Sequence, residues 1–148
     1  MINRKEEFES YSAQDTRMIG RRMGEAAVPG QVITLNGDLG VGKTVFAQGF
    51  AEGLGIRESV NSPTFTILQI YEEGRLPLYH FDVYRIGDIE EMLEIGWDDY
   101  VDAQGVCLVE WADRIGDLIA EIPGERLCHV EIRKDLAVGT DYRRVIIV

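Results

Sequence analysis

LNGDLGVGKTVFAQG, residues 35–49, decides how this chain is read. Within it Gly37, Gly42, Lys43 and Thr44 satisfy the pattern GxxxxGK[ST] in full. Glycines let the backbone turn so that successive N–H groups face an anion, and the helix that follows adds the positive end of its dipole. The pattern predicts that Lys43 reaches the β and γ phosphates of a nucleotide and that the Thr44 hydroxyl ligates Mg²⁺. Gly40 is a further glycine where backbone must come close to a ligand. The expected cradle is Asp38, Leu39, Gly40, Val41, Gly42, Lys43, Thr44 and Val45.

The flanks of the loop carry the context that the motif requires. QVITLN, residues 31–36, is short, β-branched and apolar, as a buried strand entering the loop should be. From Thr44, VFAQGFAEGLG reads as a helix ending near Leu54, with Gly55 as its left-handed cap. Upstream, Ser12 and Asp15 have the spacing of a capping box, and Thr16, Ile19, Met23 and Ala27 follow at helical intervals until Pro29 and Gly30 stop them. Downstream, residues 65–71 and 76–84 flank the turn EEGR as a hairpin. Residues 89–95 are helical in pattern, 105–110 (GVCLVE) form a buried strand and 113–122 a further amphipathic helix. Two strands, 127–133 and 143–148, close the chain. Strands alternating with helices, plus two hairpins, predict an α/β fold: one P-loop-type domain over residues 1–148, with a mixed, mostly parallel sheet flanked by helices.

At 148 residues and 45% apolar content the chain can build one core and is too short for two ordinary domains. No run of 18 apolar residues occurs and the N-terminus MINRKEEFES is polar, so a soluble, cytoplasmic protein is expected, with no membrane partner. Cys107 and Cys128 lack metal-site spacing and read as free, buried thiols. Fifteen basic against 26 acidic residues give a net charge of −11. Nucleic-acid binding relies on many Lys and Arg neutralising phosphates, so this surface repels a polyanion. Any service to a nucleic-acid process must run through a partner that holds it.

The nucleotide is read by elimination. A guanine reader would show Asn-Lys-x-Asp, and none of Asn3, Asn36 and Asn61 begins one, which favours ATP. A P-loop enzyme also needs a carboxylate at the end of a neighbouring strand to hold Mg²⁺ or its water. Two apolar runs close on such an acid: LYHFD on Asp82 and VCLVE on Glu110. His80 alternates with apolar neighbours and reads as a hydrogen-bonded structural histidine. Arg85 is open between phosphate contact and a surface ion pair, Trp97 and Tyr100 read as packing residues, and His129 is given no role.

GDLGVGKT, SPTFTI (residues 62–67), HFDVYR (80–85) and EWADR (110–114), in that order, resemble the bacterial TsaE family, also called YjeE. The resemblance runs from the first helix to the last strand. It implies a small P-loop ATPase that supports threonylcarbamoyladenosine modification of tRNA together with the TsaD and TsaB proteins, touching tRNA only through them. It further implies that Lys43, Asp82, Glu110 and Trp111 are required for activity and that Thr44, Thr64, Asp82 and Glu110 serve the metal. Which acid is the primary metal-linked one stays open at this level. Val41, where the family often has Ala, and Ala112, where it often has Pro, are the departures. The alternative is a small-molecule kinase on the same loop, which would need an acceptor pocket and usually an Arg-rich lid; the chain shows no Arg-dense insertion.

Overall fold

A computed structural model describes residues 5–38, 40–61 and 66–148. Seven strands form one sheet in the order β1-β7-β6-β2-β5-β4-β3. They are β1 (Glu6–Ser10), β2 (Val32–Asn36), β3 (Leu68–Tyr71), β4 (Leu78–Asp82), β5 (Val106–Glu110), β6 (Leu127–Lys134) and β7 (Arg143–Ile147). Strands β6, β2, β5 and β4 pair in parallel, while β3 and β7 run against the rest. The mixed α/β sheet expected from the sequence is thus present, with its parallel strands in the middle and both expected hairpins, β3–β4 and β6–β7. The edge strand β1 is additional; EEFES is too acidic to announce a strand, and it forms because β7 offers it a partner.

The central strands are buried on both faces, which is why they read as continuous apolar runs. Along β5, Val106 and Leu108 join the core under α1 (Ala13–Ala26) and α2 (Lys43–Gly53). Cys107 and Val109 join the opposite core, under α3 (Ile89–Ile95), α4 (Trp97–Val101) and α5 (Gly116–Ala120). Phe46 and Phe50 of α2 are fully buried in the first core, and burying each such side chain is worth about 1.5–3 kcal/mol. Trp97 packs edge-on against Phe81 at 5.0 Å in the second, and Tyr100 lies 4.9 Å from Tyr79, the packing roles expected of both. Among the described residues no helix is long and apolar enough to cross a membrane.

Local chemistry sets the ends of the helices that frame the loop. Ser12 caps α1 by accepting from the Asp15 N–H at 3.1 Å, and Asp15 Oδ2 returns the bond to the N–H of Tyr11 at 3.0 Å. Gly55, at φ 85°, ends α2: its N–H meets Glu52 O at 2.9 Å while Ile56 N–H meets Ala51 O at 3.0 Å, the Schellman pattern. The predicted helix at 113–122 is instead a 3-10 turn, Ala112–Ile115, followed by the short α5. Ile115 is fully buried with non-helical backbone, and Gly116 carries the entropy cost of glycine in a helix, so the segment breaks between them.

Candidate functional site

The chain leaves β2 at Asn36, turns through the glycine loop and enters α2 at Lys43. Gly42, at φ 110°, is the N-cap residue and supplies no side-chain acceptor, so the first-turn N–H groups of α2 are left to another acceptor. The loop is anchored from outside the helix as well. Val41 buries its side chain in the core, and its carbonyl accepts a hydrogen bond from Arg143 Nε at 2.7 Å.

Parallel pairing brings both predicted acids to this loop, because β2, β5 and β4 are neighbours and all end on the same edge of the sheet. Asp82 and Glu110 stand directly opposite each other in register, and Leu35, just before the loop, pairs with Glu110. A cavity of about 290 Å³ is lined by Gly40, Gly42, Lys43, Thr44, Asp82, Glu110 and Trp111. Val41 and Val45 face a second depression of about 230 Å³ beside Ser12 and Thr16 of the first helix. Asp38 lies on the far side of Lys43, with Asp113 and Trp111. Leu39 and Thr64 lie outside the described residues.

Lys43 is only 7% exposed and, among the described residues, its Nζ has no hydrogen-bond partner. The ammonium sits 3.8 Å from the centroid of the Trp111 ring, a cation–π contact. Burial pushes the Lys43 pKa below its ordinary value, and the carboxylates of Glu110, Asp82, Asp38 and Asp113 oppose that shift. Trp111 has φ 61°, the left-handed region, which costs a non-glycine residue energy and is characteristic of functional sites. Its ring is backed by Tyr84 at 4.8 Å, and Arg114 lies over Tyr84 at 5.2 Å.

Glu110 is 2% exposed and is held by His80, whose Nε2 lies 2.7 Å from Oε2. An ionised carboxylate only accepts, so against an ionised Glu110 it is the Nε2–H that donates. The sequence marked His80 as structural but not its partner. His80 faces Leu108 in register, and Glu110 is the diagonal neighbour two residues on, a relation fixed by strand pairing alone. Asp82 accepts from the Tyr84 N–H at 3.1 Å. His129 likewise has a partner, Thr34 Oγ1 at 2.6 Å from Nδ1. Arg85 is exposed and makes no ion pair among the described residues.

Among the described residues no group of three or more His, Cys, Asp and Glu side chains converges as a metal cage. Mg²⁺ is commonly held through one or two carboxylates together with substrate phosphates and water rather than by an all-protein site. Thr44, Asp82 and Glu110 share one cavity and offer the required oxygen donors.

A parallel strand feeding a glycine loop and helix, with acids at the ends of two adjacent strands, defines the P-loop NTPase-like class. Residues 10–144 match the family model "Threonylcarbamoyl adenosine biosynthesis protein TsaE". The chain is 51% identical over 138 residues to the tRNA threonylcarbamoyladenosine biosynthesis protein TsaE of Bacillus subtilis, covering 93% of this chain and 82% of that one. It is 46% identical to the protein of the same name from Treponema pallidum, covering 76% of this chain and 82% of the relative. The crystal structure of Bacillus subtilis YdiB superposes with a TM-score of 0.80 at 40% identity, over 99% of this chain and 86% of the other. The chain belongs to the TsaE family, proteins of tRNA threonylcarbamoyladenosine biosynthesis.

Proposed function

We propose that this protein binds ATP with Mg²⁺ and hydrolyses it in support of tRNA threonylcarbamoyladenosine modification, acting in a complex with TsaD and TsaB. The observation that carries the reading is the buried ammonium of Lys43, which has no hydrogen-bond acceptor among the described residues, in a cavity shared with Thr44, Asp82 and Glu110. An isolated buried cation is costly, and a phosphate is the partner that a glycine loop at a helix N-terminus is built to supply. In this reading the open N–H groups of Gly42 and the first turn of α2 take the phosphate oxygens, and Lys43 exchanges the indole of Trp111 for them. Thr44 and Asp82 would hold Mg²⁺, whose charge would offset the charge developing on the transferred phosphoryl. Glu110, fixed by His80, orients the water that attacks phosphorus; the P–O bond to ADP breaks as the bond to water forms, giving ADP and phosphate. Adenine and ribose take the depression beside Ser12 and Thr16.

The test is phosphate release from ATP and from GTP by the purified protein, alone and with TsaD and TsaB. Slow, ATP-specific turnover accelerated by the partners is expected. Turnover indifferent to them would retain the nucleotide site and remove the complex.

A further inference from the structure

Arg143 opens β7, and three backbone carbonyls hold its guanidinium. Nη1 donates to Thr140 O at 2.9 Å and to Tyr142 O at 2.7 Å, which tie it to its own strand. Nε donates to Val41 O at 2.7 Å, reaching 102 residues back along the chain into the glycine loop. The guanidinium lines the depression beside Ser12 and Thr16 and is not among the groups lining the cavity of Lys43, Asp82 and Glu110.

The peptide plane converts that contact into a consequence for the cradle. No cis peptide occurs among the described residues, and in a trans peptide the C=O of one residue and the N–H of the next point in opposite directions. With Val41 O turned toward Arg143, the Gly42 N–H is turned away from it, and Gly42 also lines the cavity that Lys43 and Thr44 share. Nothing in Gly42 itself fixes this plane, because glycine passes freely between positive and negative φ. A flipped peptide would present a carbonyl oxygen where an anion is to sit. A charge-assisted bond from a guanidinium already held by two other carbonyls is strong enough to prevent that.

We propose that Arg143 is a positioning residue for the phosphate cradle, locking the Val41–Gly42 peptide with its N–H toward the bound phosphates. The inference rests on the nucleotide reading of the loop. It assigns to the start of the last strand a role in phosphate affinity exerted through the Val41–Gly42 peptide.

The test compares wild type with Arg143→Met, which keeps the apolar stem and removes every donor, and with Arg143→Lys, which keeps one cation. Affinities for ATP, tripolyphosphate and adenosine are measured by titration of the full chain, with the melting temperature of the ligand-free protein alongside. Arg143→Met should weaken ATP and tripolyphosphate alike by about tenfold or more, with partial recovery in Arg143→Lys. A lowered melting temperature with unchanged tripolyphosphate affinity would make the residue merely structural and overturn the proposal. A loss seen with ATP and adenosine but not tripolyphosphate would overturn it too, placing Arg143 on the nucleoside. Should Arg143→Met not fold, the Gly42 amide resonance decides the matter: its response to tripolyphosphate must be smaller in Arg143→Lys than in wild type, and an equal response refutes the lock. Wild type that binds no tripolyphosphate would instead defeat the nucleotide reading beneath it.

Discussion

Burying the ammonium of Lys43 costs the fold stability, which an anion bound in the loop would return. The indole of Trp111 offsets part of that cost, since a cation–π contact contributes about 0.5–2 kcal/mol. Lys43→Met should therefore leave the ligand-free protein as stable as wild type or about 1 kcal/mol more so, while abolishing the rise in melting temperature that ATP gives wild type. Scanning both proteins with and without ATP checks this, and a retained ATP shift would dismiss Lys43 as the phosphate partner. Glu110 makes a different prediction. Because His80 already grips one of its oxygens, Glu110→Gln keeps a side chain of the same shape; turnover should fall at least about a hundredfold with nucleotide affinity changed by less than about threefold. Single-turnover kinetics beside equilibrium titration separate the two, and equal losses would make Glu110 a binding group. Cys107 is a pH probe. Burial pushes its thiol from 9.0 to about 12, so between those values the unfolded chain releases a proton that the folded chain keeps. Stability from this group therefore falls as pH rises through that window. The slope of stability against pH should be shallower in Cys107→Ala than in wild type, and native Cys107 should resist alkylation at neutral pH.

The loop is only as well placed as the helix that begins at Lys43, and α2 is seated by an unusually close crossing with α1. Gly20 and Gly24 of α1 and Gly49 and Gly53 of α2 recur at four-residue spacing on facing sides. A Cβ built on Gly49 would lie 2.0 Å from Arg17 O, and one on Gly20 would lie 2.3 Å from Phe46 O. These clashes are with backbone, which cannot swing aside. Gly49→Ala should cost about 3 kcal/mol or more by denaturant unfolding, despite the better helix propensity of alanine; a stabilised variant would mean the helices separate without penalty. At the other end, α1 has no basic residue in its last turn, and Arg75 from the tip of the β3–β4 hairpin takes that place. Its Nη2 donates to Gly24 O at 2.9 Å, Glu25 O at 3.2 Å and Ala27 O at 3.0 Å, carbonyls at the C-terminal end of the helix. Glu73, two residues earlier, accepts from the N–H groups of Arg57 and Glu58, so the same hairpin tip ties down the chain leaving α2.

Over the whole molecule, a net charge of −11 argues against direct binding of tRNA. The isolated protein should show no measurable tRNA binding at physiological salt in a filter or gel-shift assay, and micromolar binding without partners would contradict the assignment of tRNA to the complex. The strands and helices that frame the loop were legible in the sequence because their signals are local: an apolar run, a capping serine, a glycine after the last helical turn. The glycine loop was legible for the same reason, since the residues that cradle a phosphate must be adjacent in the chain. Asp82 and Glu110 could be seen as acids ending strands, but not as a facing pair. Strand β1 was not legible, because its residues carry no strand pattern without β7 beside them. The pairing of His80 with Glu110, the indole over Lys43, the glycine-lined helix crossing and the reach of Arg143 to Val41 were beyond the sequence altogether. Sequence alone determined the glycine loop and the TsaE family motifs around it, because both are written in short-range spacing. Only the tertiary structure decided which acid is buried and held, and what anchors the loop, because those depend on sheet order and register, set by packing between residues tens of positions apart.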